Sequence, residues 1–214
     1  MVVWKADPKG LSQADLDACV ALLRGGGLAA VPTETVYGLA VDAWQPAAQN
    51  RLAKVKGRAE NKAFPIQFAD LGQVERWLGT IPELARRLFE RFSPGPVTVV
   101  FRPDPPVAFL DGSDGTVGVR IPDHPVMLQI LRAFGGPLAV TSANRSGEAP
   151  AVDPGAVLES LGCLIDALVD VGGCCTGVAS TVVDVTGEAP RILRDGGVSS
   201  DAVFETLADN EVLA

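Results

Sequence analysis

The chain has 214 residues, 47% of them hydrophobic, with 26 acidic and 18 basic side chains for a formal charge of −8. That apolar share supports a packed core and excludes a disordered chain. The acidic balance excludes the broad basic face that sequence-independent nucleic-acid binding requires, though not a local basic pocket. Mean hydropathy is +0.24, yet no stretch approaches the roughly 18 consecutive apolar residues of a membrane span. The start, MVVWKADPKG, has no basic-then-apolar leader, so a cytoplasmic protein without a membrane segment is expected. Cys19, Cys163, Cys174 and Cys175 include no CxxC pair, so reduced thiols are expected rather than a zinc site.

In chain order, Ser12 with Asp15 three residues on reads as a helix start. Leu16, Val20 and Leu23 form its apolar stripe, and the glycines at 25–27 stop it. A short buried strand is predicted over 28–31, followed by PTETVYGLA. A helix is predicted over 46–55 and a short strand over 65–69. Short helices are expected near 73–78 and 83–92, the second with Pro82 in its first turn. After the turn SPGP, strands are predicted over 97–101 and 116–121, and a helix over 125–134. Strand 138–141 and a helix capped by Asp153 come next, then strands near 167–171, 181–185 and 191–193. A last helix covers 200–208. Strands and helices alternate irregularly, which predicts an α/β chain with a mixed sheet rather than a βαβ repeat. The Pro-, Gly- and Asp-rich segment 103–115 is the best candidate for a mobile loop. No internal repeat or linker divides the chain, so one domain over 1–214 is expected.

Four segments stand out chemically. PTETVYGLA, 32–40, follows an apolar strand. It reads either as a strand-to-helix loop with threonine as cap, or as hydroxyl and backbone donors at a strand's carboxyl end, where α/β proteins bind ligands. Arg51, Lys54, Lys56, Arg58 and Lys62 fall within twelve residues. Around Gly57 they form either a solvated basic face or a bend that aims Lys56 and Arg58 at an anion. In TVGVRIPDHP, 116–125, Arg120 is the one charge in a β run. Alternation puts it on a face with Thr116 and Gly118, facing solvent or binding a carboxylate. TSANRSG, 141–147, sets five polar side chains at the mouth of an apolar strand, more than a turn needs.

His124 is the single histidine, and its place before a helix suits a turn better than a catalytic base. There is no GxSxG, no GxxxxGK[ST] and no helix-opening GxGxxG, so a serine hydrolase, a P-loop enzyme and a dinucleotide fingerprint are all unsupported.

VPTETVYGLA, KGR, FSPGPVTVVF, TVGVRIPDHP, VTSANRSG, STVVDV and ILRDGG occur in that order over roughly 12–197. Together they resemble the YrdC-type threonylcarbamoyl-AMP synthase family in its short form, with a C-terminal helix near 200–208. The resemblance implies a twisted mixed parallel and antiparallel sheet with flanking helices around a concave, locally positive cavity. It implies that L-threonine, bicarbonate and ATP, with Mg2+, give threonylcarbamoyl-AMP and pyrophosphate. A downstream tRNA threonylcarbamoyl-transferase complex then modifies the adenosine next to the anticodon, with possible transient tRNA contact.

By the same resemblance, Lys56, Arg58, Ser142 and Asn144 are catalytic and line the ATP pocket. Thr35, Gln67, Arg120, Thr141 and Ser180 match positions that hold L-threonine, with Arg120 expected to take its α-carboxylate and Thr35 or Ser180 to read its hydroxyl. Lys62, Thr116 and Arg194 match the nucleotide side. Ala59 replaces a usual proline, and Gln67 stands where some members have histidine. Two other readings remain: a non-catalytic or differently specific paralogue that binds nucleotide or RNA in the same cavity, and the carbamoyl-adenylate chemistry of hydrogenase-maturation proteins. The second is disfavoured because acylphosphatase-like and zinc-finger segments are missing.

Overall fold

The computed structural model describes residues 1–7, 10–57, 63–107, 114–173 and 176–208. Ten strands among these residues form one mixed sheet. In chain order the elements begin β1 (Val2–Lys5), α1 (Gln13–Arg24), β2 (Ala29–Val31), β3 (Gly38–Asp42), α2 (Pro46–Lys56) and β4 (Ile66–Gln67). Next come α3 (Leu71–Leu78), α4 (Glu83–Phe92), β5 (Val97–Phe101), β6 (Val117–Arg120), α5 (Pro125–Phe134) and β7 (Leu138–Ser142). The chain continues through α6 (Pro154–Leu161), β8 (Ala167–Asp170), β9 (Thr181–Asp184), β10 (Arg191–Arg194) and α7 (Ser200–Ala208).

The strand order is β1-β8-β2-β3-β7-β4-β6-β5-β9-β10. Parallel and antiparallel pairs alternate irregularly along it: β4 runs parallel to β6 but antiparallel to β7, and β5 runs parallel to β9 but antiparallel to β6.

The predicted helices form where their caps are. Ser12 accepts a hydrogen bond from the Asp15 amide, and Asp153 accepts one from Ala156, so each supplies an acceptor for a first-turn N–H that lacks a helical partner. Two strands escape the sequence reading. β1 is a short edge strand whose outer residues are exposed. β3 lies where a strand-to-helix loop is one of the two readings. In the structure PTETVY is instead the turn of a hairpin, because Thr33 closes it: its Oγ accepts from the Val36 amide and donates to the Val36 carbonyl. β3 then pairs antiparallel with β2 and β7, so GLAVD is buried as sheet rather than helix.

Apolar residues cover both faces of the sheet. On one face Leu52 of α2, Val74 of α3 and Leu88 of α4 pack with Leu39, Val41, Val99 and Val119. On the other, Leu16, Val20 and Leu23 of α1 and Met127, Ile130 and Leu131 of α5 cover Ala29, Val31, Ala40, Leu138 and Val140. Side chains alternate along strands, so register fixes what shares that second face. Val140 faces the same way as Leu138. Gln67 pairs with Leu138 and Arg120, and Arg120 lies opposite Thr98 by the β5–β6 register. The face covered by α1 and α5 at β7 therefore continues, past the helices, into a polar region at β4, β6 and β5. The cavity lies there.

Candidate active site

A cavity of about 130 Å3 opens on this face. Seven of the residues expected from the sequence line it: Thr35, Gln67, Arg120, Thr141, Ser142, Ser180 and Arg194. They come from the β2–β3 turn, β4, β6, β7, the segment before β9, and the end of β10.

Beside the lining residue Ser142, α2 delivers Lys56, which like Asn144 is not itself among the lining residues. Gly57 follows in the left-handed conformation (φ 63°), which ends the helix directly after the lysine. Lys56 is buried, and its Nζ donates to the Ser142 carbonyl at 2.7 Å, to Asn144 Oδ1 at 2.8 Å and to Ser142 Oγ at 3.3 Å. Asn144 is itself fixed, because its Nδ2 donates to the carbonyls of Arg145 and Glu148. The polar run after β7 is thus a socket that orients an ammonium group. Arg58 and Lys62, and the Ala59 departure, lie outside the described residues, as do Cys174 and Cys175.

Arg120, a lining residue, is 6% exposed, so it is neither solvent-facing nor without an acid. Its Nη2 donates to Glu34 Oε1 at 2.6 Å and to Thr35 Oγ1 at 3.0 Å, and its Nε donates to the Gly95 carbonyl at 3.2 Å. Thr33 donates its hydroxyl hydrogen to Val36, so the 2.8 Å contact between Thr33 and Thr35 is donated by Thr35. The Thr35 hydroxyl therefore has no hydrogen left to give a ligand. The turn is braced from outside: Thr176 donates its amide and hydroxyl to the Glu34 carbonyl, and Gly177 donates to that of Thr35.

Ser180 is buried beside Thr98, with their hydroxyls 2.8 Å apart. Arg194 donates Nε to the Ser180 carbonyl at 3.0 Å and Nη2 to the Ser180 hydroxyl at 2.9 Å. A glycine allows this contact. A Cβ on Gly196 would sit 2.4 Å from the Ala179 carbonyl oxygen, Ser180 carbonyl carbon and Thr181 amide nitrogen. Arg194 is exposed as a residue, but its guanidinium is pressed against the wall. Burial, and then the charge of Arg120, hold its pKa below the ordinary arginine value. Among the described residues no ion pair joins Arg194 to an acid.

Of the expected residues described, Lys56, Asn144 and Thr116 do not line the cavity, and the Thr116 hydroxyl and amide both bind Asp114 Oδ1 in a local turn. Gln67 lines it while making no described side-chain hydrogen bond, and its Oε1 is buried without a partner. Glu34 and Thr98 are residues that the sequence reading passes over. The signal for Glu34 was a buried strand position held by arginine, which demands a nearby acid. The signal for Thr98 was a lone hydroxyl in an apolar strand.

His124 precedes α5 without capping it through its side chain. Burial lowers its pKa, against the opposing charges of Glu34 and Asp123, so it is neutral at pH 7. The Cys19 thiol, deep in the core, is pushed up to about 12 by burial and offers no thiolate. Among the described residues no group of three His, Cys, Asp or Glu could hold a metal ion, and no helix is long and apolar enough to cross a membrane.

Known proteins resemble this chain in sequence and in fold. The family model Sua5_yciO_yrdC, described as telomere recombination, matches residues 21–196. A Mycobacterium tuberculosis (strain H37Rv) relative is 36% identical over 203 residues, 94% of this chain and 93% of its own length. The threonylcarbamoyl-AMP synthase of Chromohalobacter salexigens is 39% identical over 177 residues, 80% of this chain and 94% of its own. Among solved structures, P. abyssi Sua5 complexed with L-threonine superposes with a TM-score of 0.90 at 32% identity, covering 97% of this chain and 61% of that one.

Proposed function

Because this chain belongs to the Sua5/YciO/YrdC family, we propose that it is an L-threonylcarbamoyladenylate synthase, which joins L-threonine, bicarbonate and ATP into threonylcarbamoyl-AMP and pyrophosphate. One observation carries the reading. Polar residues drawn from positions 35 to 194 converge on a single cavity, in a chain whose close relatives include synthases of this name.

The chemistry needs an amine, an activated phosphate and fixed cations. Threonine's amine loses a proton and captures carbon dioxide derived from bicarbonate, giving an N-carboxylate. An oxygen of that carboxylate attacks the α-phosphorus of ATP, and the bond to pyrophosphate breaks. Negative charge builds on phosphoryl oxygens, so pre-oriented cations lower the barrier. Lys56, held by Ser142 and Asn144, supplies one such cation, and Arg58 and Lys62 add to it. Thr116 and Arg194 complete the nucleotide side. Mg2+ enters with the phosphates of ATP, as part of the substrate.

Thr35, Gln67, Arg120, Thr141 and Ser180 receive the amino acid. The product then passes to a tRNA threonylcarbamoyl-transferase complex, with at most a transient tRNA contact here, in the cytoplasm. Residues 1–214 act as one domain.

The test is pyrophosphate release from ATP with threonine and bicarbonate each left out in turn, following labelled bicarbonate into an adenylate. Release that needs both, with label in the adenylate, is expected. ATP binding without threonine-dependent turnover would make the chain a nucleotide-binding paralogue.

A further inference from the structure

Two arginines face this cavity, and their charges are handled differently. Arg194 is held by two neutral oxygens of Ser180. Arg120 is held by a carboxylate, and the pair is withdrawn from water, with side chains 8% and 13% exposed. Of the five N–H groups of a guanidinium, Arg120 gives three to the protein: Nε to Gly95, and Nη2 to Glu34 and Thr35. Its Nη1 has no hydrogen-bond partner among the described residues. Glu34 has no other ion-pair partner among them, since its Oε2 is buried without a hydrogen bond and nearby His124 is kept neutral by burial. Arg120 therefore offers the cavity hydrogen-bond donors whose charge is partnered by Glu34, whereas the neighbouring charge of Arg194 has no acid partner among the described residues.

Beside it, in register on the neighbouring strand, lies Gln67, whose buried Oε1 lacks a donor. Donors on one side and an orphan acceptor on the other complement a hydroxyl, which gives one hydrogen and accepts others. They do not complement a carboxylate, which brings a second full charge and no hydrogen. We propose that Glu34 is a specificity-determining residue: by neutralising Arg120, it makes this corner read a neutral side-chain hydroxyl and exclude an acidic side chain of the same size. This inference rests on the synthase reading. It moves the role of Arg120 from the α-carboxylate of threonine to its hydroxyl. The α-carboxylate falls to the cations that carry no acid partner, of which Arg194 is one. Glu34 acts through Arg120, so it is a positioning residue. Its turn is suited to that role, being pinned at the carbonyls of residues 34 and 35 by Thr176 and Gly177.

The probe is L-aspartate, which carries a carboxylate where threonine carries its hydroxyl and methyl. Threonine-dependent pyrophosphate release by the full chain is measured with increasing aspartate, for wild type, Glu34→Gln and Glu34→Asp. Wild type and Glu34→Asp, which keeps the charge, are expected to resist aspartate. Glu34→Gln is expected to bind aspartate about tenfold or more tightly than wild type, while its KM for threonine rises. A merely structural role predicts the opposite sign, with weaker binding of both amino acids. Should Glu34→Gln not fold, Gln67→Lys adds positive charge to the same corner with the Glu34 pair intact, and it too is expected to admit aspartate.

Unchanged resistance to aspartate in the folded variants overturns the proposal, as does equal inhibition of wild type and Glu34→Gln. If wild type shows no threonine-dependent turnover, the synthase reading fails and this inference with it. If wild type turns over and only the aspartate contrast is missing, the role of Glu34 alone is refuted.

Discussion

Lys56 and Arg120 are held differently. Lys56 Nζ donates to the Ser142 carbonyl and hydroxyl and to Asn144 Oδ1, and its charge also acts on Glu148. Arg120 is locked to a largely buried acid 86 residues away in the chain. Removing Lys56 leaves the Ser142 and Asn144 oxygens short of a donor, at about 1–3 kcal/mol. Removing Arg120 from a largely buried carboxylate leaves an uncompensated charge, at about 3–5 kcal/mol. The lesson is that the same kind of substitution reads mainly function at Lys56 and mainly stability at Arg120. A loss of activity in an Arg120 variant is therefore not by itself evidence of substrate contact.

The largest expected effect tests this directly. Arg120→Ala should lower stability by about 3–5 kcal/mol, measured by urea unfolding. The double variant Glu34→Gln/Arg120→Gln removes both charges and should recover most of that loss. If the single and double variants are equally unstable, the two sites do not differ as described. Next is Lys56→Ala. Its adenylate formation should fall by about two to three orders of magnitude, as when a pre-oriented transition-state donor is lost, while the protein remains folded by circular dichroism. Wild-type turnover would take Lys56 out of the phosphate site. Smaller again is Gly196→Ala. Its Cβ must displace backbone at 2.4 Å, so about 1–3 kcal/mol of strain is expected. Arg194 would then part from Ser180, so KM should rise more than kcat falls. An unchanged melting temperature and KM would show that the close approach of 195–197 to β9 does not matter to the wall.

The same contrast explains what the sequence disclosed. The Lys56 site is written in short contiguous strings: a helix that stops at Gly57, and a polar run after an apolar strand. Caps at Ser12 and Asp153 were legible for the same reason, since side chain and accepting amide lie three residues apart. The Arg120 site was legible only as a puzzle, one charge in a β run. Its solution lies on the β2–β3 turn, and nothing local says that this turn folds back against β6. β3 itself was hidden because Gly38 to Val41 are all buried, so it lacks the alternation that marks a half-exposed strand. Thr116 shows the reverse case: its place in a motif was clear, while the local turn in which Asp114 binds both its hydroxyl and its amide was not.

The smallest effect concerns a group shared by neither site. His124 is half-buried, its Nδ1 lacks a hydrogen-bond partner, and burial lowers its pKa below the ordinary 6.5, although the charges of Glu34 and Asp123 pull the other way. In the unfolded chain the imidazole titrates near its ordinary value, so between the folded and unfolded pKa values the unfolded state binds more protons. Stability then rises with pH across that window. The contribution is fully present above about pH 6.5, declines as the pH falls below it, and stops changing once the pH passes the lowered folded value. Urea unfolding from pH 8 down to pH 5 should show this decline in wild type and a shallower one in His124→Gln. Carboxylates that titrate lower are common to both proteins, so the difference between the two curves isolates the imidazole. If that difference is flat with pH, burial of His124 does not favour its neutral form, and the account of Glu34 loses its premise that Arg120 is the counter-charge. A curve that steepens in the variant would point the same way. The sign of a modest slope thus tests the charge balance on which the Arg120 site depends.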